Sequence, residues 1–460
     1  MVTSIFTILL ILRLLLSWDN SRAAGALEGD KNLPRPAATR GTTMTPKTLA
    51  VNGIEYRWPG DPVVLVCIDG GDPAYLEHGV EAGIIPNTAR WIGEGFHAVA
   101  RGTMPSFTCP NNMSIVTGRP ASVHGISGNF FLDRKTNEPV VMTGPELLKV
   151  PSIMSEFSRH GAKVVSITAK DKLRKQLQKD MDLSNGSVSF SSQHADRCDM
   201  AENGIENVLD FVGQPLPDMY SAELSLFVLD AGIKLLERRR PDILYLSLTD
   251  FIQHAYAPGH PEADRFYKEM DARFGRLEEL GAIVALTADH GMNEKTRDDG
   301  SPCVVWLQDI LDAEFGAGTS TVICPITDAF VGHHGALGGF VRVYCNDGLT
   351  AERVVAAIRE VPGLEHVLPR QAVCDEFDLP FEPEGDVAVL GDARTVIGAR
   401  VEDHDLSGLK GHRLRTHGSV YEADVPVILS RPVRDEYANR ASDSRLHSYQ
   451  VFDYALNGPA

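Results

Sequence analysis

A chain of 460 residues is long enough for a large core, and its net charge of −18, from 44 basic and 62 acidic side chains, excludes the basic stripe of a nucleic-acid surface. Hydrophobic content of 43% and charged content of 23% exclude a disordered or fibrous chain. The seven cysteines are odd in number and contain no Cys-x-x-Cys pair, which excludes a disulfide framework or a cysteine zinc site and favours a reducing compartment.

In chain order, residues 5–16 form an apolar run broken by Arg13. No positive side chain precedes the run, and it is short for a bilayer span. It reads as a weak signal peptide, a membrane anchor, or residues upstream of a start at Met44. The last reading is preferred, with 1–48 a disordered leader and the protein cytoplasmic. Residues 62–68, PVVLVCI, are a β-branched run that stops at Asp69-Gly70-Gly71, as expected of a strand buried on both faces. Similar runs occupy 162–167, 243–248, 282–286 and 425–429. Helical patterns lie at 86–94, 110–117, 151–160, 218–239 and 261–279. The alternation predicts an α/β fold, a mostly parallel central sheet flanked by helices. Its core would be residues 49–300, completed by 411–460. Residues 301–410 read differently, with strands near 340–344, 365–368 and 386–390 and a helix at 351–360, and predict a small α+β cap insertion.

Three predicted strands end on an aspartate: Asp69, Asp250 and Asp289. Ligands of open α/β sheets bind outside the carboxyl ends of strands. Asp250 and His254 are one helical turn apart and share a face if the chain is helical there. Asp289 and His290 are adjacent, and His417 follows the insertion. Taken singly, each is as readily a cap or loop residue; together, imidazoles and carboxylates suit zinc, with manganese as the alternative. Thr108 precedes Cys109 and Pro110, and Pro110 suits a first helical turn, so Thr108 would stand at a helix N-terminus where N–H groups favour an anion. Lys170 and Lys172 belong to a basic run with Arg174, Lys175 and Lys179, a pattern that by spacing alone describes a solvated helix face. The His333-His334 pair before Gly335 suggests a metal but has no carboxylate pattern beside it; His260 and His412 read as loop histidines, and His124 as structural.

Thr108-Cys109-Pro110-Asn111, then His124-Gly125-Ile126 leading to Asn129, and Asp69, Asp250-x-x-x-His254, Asp289-His290-Gly291-Met292 and His417 in that order, resemble the alkaline phosphatase superfamily. The resemblance is to its branch of nucleotide pyrophosphatases/phosphodiesterases and phosphonoacetate hydrolases. Residues 167–174, ITAKDKLR, are similar to the lysine-bearing segment of the phosphonoacetate hydrolases. The resemblance implies two zinc ions, one held by Asp250, His254 and His417 and the other by Asp69, Asp289, His290 and Thr108. It also implies Thr108 as nucleophile, Asn129 as donor to a phosphoryl oxygen, and Lys170 and Lys172 as ligands of a substrate carboxylate. The expected activity is hydrolysis of the P–C bond of phosphonoacetate through a phosphothreonine, with a phosphodiesterase, nucleotide pyrophosphatase or phosphomonoesterase on the same scaffold as alternative. The expected partner is a small anionic organophosphonate, without nucleic acid or stable membrane association; a homodimer is left open.

Overall fold

The computed structural model describes residues 47–142, 144–327, 334–346, 348–409 and 411–460. The apolar run at 5–16, the start at Met44 and His333 lie outside the described residues.

The apolar runs assemble into one seven-stranded sheet. Its order is Phe96–Arg101, Asp424–Leu429, Ile283–Thr287, Val63–Cys67, Ile243–Ser247, Val164–Thr168, Val188–Ser191. Side chains alternate between the faces of a strand. Val64, Val66, Leu244 and Leu246 accordingly join one hydrophobic cluster, while Leu65, Cys67, Ile243 and Tyr245 join another. Because helices cover both faces, the strands need no polar alternation, and each buried branched side chain contributes about 2 kcal/mol.

The five strands from Ile283–Thr287 to Val188–Ser191 run parallel. Asp424–Leu429 pairs antiparallel with both neighbours. The chain leaves the sheet for the insertion at the carboxyl edge and returns at that edge, so its next strand must run backwards. Two helices match their periodicity to the residue, Pro86–Glu94 and Pro261–Glu279. The pattern at 151–160 is Ile153–Arg159, with a capping box between Ser152 and Ser155. The pattern at 218–239 is helical only from Glu223, because Ser221 Oγ donates to the Asp218 carbonyl at 2.7 Å and holds that stretch in a turn.

Two strands of the sheet were not expected. Val188–Ser191 reads VSFS, and its serines conceal it. Phe96–Arg101 is an edge strand of mixed exposure. At the start of the described chain, Asn52 and Gly53, both at positive φ (50° and 79°), close a hairpin between Thr48–Val51 and Ile54–Arg57.

The insertion holds a four-stranded antiparallel sheet, Ser320–Ile323, Phe340–Cys345, Val387–Gly391 and Leu364–Pro369 in spatial order. Val341, Val343, Val387 and Val389 give it a hydrophobic cluster of its own. Among the described residues no helix is long and apolar enough to cross a membrane.

Candidate metal centre and active site

The register of the parallel strands builds the site. Thr287, Cys67, Ser247 and Thr168 are successive partners across four adjacent strands. Two or three residues beyond them, at one carboxyl edge, stand Asp289, Asp69, Asp250 and Lys170. Asp250 begins the short helix Phe251–Ala255, which returns His254 beside it: His254 Nε2 lies 2.9 Å from Asp250 Oδ2. His417 follows the Arg415–Thr416 strand, which pairs with Asn293–Glu294 just after His290. This pairing brings the return from the insertion onto the Asp289-His290 loop.

Thr108 is the first residue of the helix Thr108–Thr117, one position further in than its sequence suggested, with Phe107 as the N-cap and no side chain capping the end. A helix N-terminus without a side-chain cap favours an anion. Thr108 Oγ1 lies 3.4 Å from His290 Nε2. Asp69, Thr108, Asn129, Lys170, Lys172, Asp250 and His417 line one pocket. Lys170 Nζ is 3.9 Å from Asp250 Oδ1. The basic run therefore divides. Lys170 and Lys172 face the pocket, Arg174 is held by Asp171 and Glu202, and Lys175 is exposed.

The donor set fits cations. Each imidazole sets Nδ1 against a backbone carbonyl: His254 on Arg415 at 2.6 Å, His417 on Ser106 at 2.6 Å and His290 on Gly291 at 2.9 Å. A carbonyl only accepts, so Nδ1 carries the proton and Nε2 of the neutral ring presents a lone pair. Those lone pairs meet carboxylate oxygens: His290 Nε2 is 3.3 Å from Asp69 and 3.7 Å from Asp289, and His417 Nε2 is 3.8 Å from Asp250. Electron-rich atoms facing one another across a buried site repel unless positive charge lies between them. At His417 protonation is a poor source of that charge, because burial and then His290 and His254 hold it well below the usual histidine range. Burial, then Asp250 and Asp289, pushes Asp69 well up; burial and Asp250 push Asp289 up to about 7. Divalent cations relieve all of these strains together.

Two donor sets have atoms within 4.8 Å of one another, Asp250 with His290 and His417, and Asp69 with Asp289 and His290. His290 is common to both, and the rings of His290 and His417 stack at 3.5 Å. The partition expected from sequence put His254 with Asp250 and His417; here His254 meets that set through Asp250.

A family model for type I phosphodiesterase / nucleotide pyrophosphatase matches residues 63–418. The chain belongs to this family. Phosphonoacetate hydrolase from Sinorhizobium meliloti 1021, solved with phosphonoformate and with phosphonoacetate, is 42% identical with TM-score 0.86, over 91% of this chain and 100% of that one. Murine ectonucleotide pyrophosphatase/phosphodiesterase 5 shares the fold at TM-score 0.58 and 16% identity, over 87% of this chain and 96% of that one. An uncharacterized pyrophosphatase/phosphodiesterase of Schizosaccharomyces pombe is 22% identical over 260 residues, 54% of this chain and 48% of that protein, so the chain spans about half of that relative's length.

In this member of the phosphodiesterase family, residues that sequence reasoning passed over also meet the candidate site. Asn112 Nδ2 donates to Asp289 Oδ2 at 3.3 Å, while its Oδ1 accepts from Tyr245 at 2.6 Å, so Asn112 orients the Asp289 carboxylate. The only sequence signal was its place one residue after Asn111. His334, set aside in sequence for want of a carboxylate pattern, is buried in the pocket wall and stacks on His254 with ring centroids 5.2 Å apart. Nothing in its spacing from the other histidines announces this, because the insertion delivers it. His124 is structural as expected: it is buried, and its Nε2 lies 2.8 Å from Ser114 Oγ.

Proposed function

We propose that this chain is a metal-dependent hydrolase that cleaves the P–C bond of phosphonoacetate to give acetate and phosphate. The observation that carries this reading is the presence of Lys170 and Lys172 in the wall of the pocket that holds Thr108 and the metal-facing carboxylates. Identity of 42% to an enzyme solved with phosphonoacetate supports it.

Asp250, His254 and His417 would hold one zinc ion, and Asp69, Asp289, His290 and Thr108 the other. Zinc there would supply Lewis acidity, lowering the pKa of the threonine hydroxyl and neutralising phosphoryl charge. Thr108 Oγ attacks phosphorus, forming an O–P bond as the P–C bond breaks. The electron pair leaves on carbon and spreads into the adjacent carboxylate as an enolate, which takes a proton to become acetate. Lys170 and Lys172 bind that carboxylate and stabilise the charge that grows on it. Asn129 donates to a phosphoryl oxygen, and the positive end of the Thr108–Thr117 helix dipole favours the same charge. Water then hydrolyses the phosphothreonine, releasing phosphate and restoring the hydroxyl. With an odd number of cysteines and no Cys-x-x-Cys pair, the chain suits the cytoplasm.

The family description favours one other reading, a phosphodiesterase that uses the same metals and Thr108. Phosphate release from phosphonoacetate and turnover of an aryl phosphodiester, measured side by side on zinc-loaded protein, separate the two. Strong release from phosphonoacetate is expected. Turnover of the diester alone would overturn the P–C assignment and leave the metal centre standing.

A further inference from the structure

Buried polar groups tie the insertion to the segment that carries Asn129. Arg342, on the strand Phe340–Cys345, pairs with Glu384, and neither side chain is exposed (0% and 0%). The guanidinium grips the carboxylate with two bonds, Nε to Oε2 at 2.7 Å and Nη2 to Oε1 at 2.5 Å. Its other N–H groups reach out of the insertion. Nη2 donates to the Ser127 carbonyl at 2.8 Å and to Ser127 Oγ at 2.9 Å, and Nη1 donates to the Phe130 carbonyl at 3.1 Å. Ser127 Oγ closes the cluster by donating to Glu384 Oε1 at 2.8 Å.

Asn129 lies between the two residues so held. Its backbone N–H donates to Pro325 at 2.8 Å and its Nδ2 to Ile326 at 3.1 Å, both carbonyls of the insertion. A Cβ at Gly128 would lie 2.9 Å from Pro325 Cβ and 3.2 Å from Arg342 Nη1, so the glycine is what permits this close approach. Asn129 Oδ1 is buried in the pocket wall without a hydrogen-bond partner among the described residues. The amide is thus anchored through one N–H of Nδ2 by the insertion, which leaves the second N–H of Nδ2 as the donor for a phosphoryl oxygen.

A buried ion pair stabilises a fold little more than apolar residues of the same volume, whereas its planar, two-bond geometry imposes position. We propose that Arg342 and Glu384 are positioning residues: they lock residues 127–130 so that Asn129 meets a phosphoryl oxygen, and the insertion thereby sets substrate affinity. The proposal rests on the reading of Asn129 as a phosphoryl ligand.

The test is a double-mutant cycle on zinc-loaded full-length protein, read by calorimetric binding of inorganic phosphate and by KM for phosphonoacetate, with bound zinc as control. Arg342→Met is expected to weaken phosphate about tenfold and to raise KM similarly with zinc content unchanged. In an Asn129→Ala background the same substitution should change phosphate affinity by under about twofold, because the group it positions is gone. Equal weakening in both backgrounds, or no weakening by Arg342→Met, overturns the proposal. If Arg342→Met does not fold, Ser127→Ala, which removes only the hydroxyl of the cluster, takes its place in the cycle. Wild-type protein that binds phosphate without hydrolysing phosphonoacetate overturns the proposed reaction, and the phosphate cycle still decides the role of Arg342. Wild-type phosphate affinity in Asn129→Ala overturns both the ligand assignment and the positioning role.

Discussion

Thr108, Lys172 and His124 show how differently single side chains depend on their surroundings. Thr108→Ala removes the proposed nucleophile but none of the buried carboxylates or imidazoles. Phosphate release should fall by at least about a thousandfold while zinc content, measured by elemental analysis, stays near wild type. Lys172→Ala removes a cation from the pocket wall. It should raise KM for phosphonoacetate about tenfold or more, the worth of a charge-assisted hydrogen bond, and leave an aryl phosphate without a carboxylate nearly unaffected. Equal losses on both substrates would make Lys172 a general anion attractor. His124 works through stability. Burial holds its folded pKa at about 3, below the ordinary value of about 6.5. The unfolded chain therefore takes up the proton first, so the effect is absent above pH 6.5 and stability is lost as pH falls from there towards 3, by about 1.4 kcal/mol per unit. His124→Gln should flatten the dependence of the melting temperature on pH between 7 and 5.

Among the elements, the helix Thr108–Thr117 matters most, because its first residue is the proposed nucleophile. The approach to that helix is held by Asn111, fully buried, whose Oδ1 accepts from the Thr103 N–H at 2.6 Å and whose Nδ2 donates to the Thr103 and Phe107 carbonyls at 2.8 and 3.1 Å. Asn111→Ala leaves these backbone groups unsatisfied, which should cost about 2–3 kcal/mol and lower the urea midpoint. Phosphate release should fall with it, since the loop that sets Thr108 loses its brace. The helix Asp171–Gln178 illustrates the limits of pattern. Its basic run describes a solvated face, yet Lys170 sits at its N-cap, two residues past a strand of the parallel sheet, and the sheet edge turns it into the pocket.

For the whole molecule, the dominant fact is that three carboxylates converge at the edge of a sheet in a chain of net charge −18. Bound cations relieve that repulsion in the folded state alone. Chelation should therefore lower the melting temperature, and added zinc should restore it in a concentration-dependent way, by about 4 kcal/mol at a thousandfold excess over Kd. A melting temperature indifferent to zinc would rule out the metal centre. Substrate binding belongs to this scale too, because both lobes contribute: the sheet edge supplies Asp69, Asp250, Asp289 and Lys170, and the insertion supplies Ile326 and His334.

Read by itself, the sequence determined the parallel core, the ends of the Pro86–Glu94 and Pro261–Glu279 helices and the carboxylates that stand beyond its strands. These are local matters: apolar runs mark strands with two covered faces, and side chains just beyond such runs reach the carboxyl edge whatever the remaining topology. The tertiary structure alone decided that Lys170 and Lys172 face the pocket while Lys175 faces solvent. It alone placed His334 beside His254, turned Asn112 onto Asp289, and locked Arg342 and Glu384 around Ser127. Each of those contacts except the lysines joins residues at least 42 positions apart or different elements of the fold, and no period in the chain encodes such a meeting. It arises where the insertion folds back over the sheet, and the shape of the two surfaces sets which side chains are brought together.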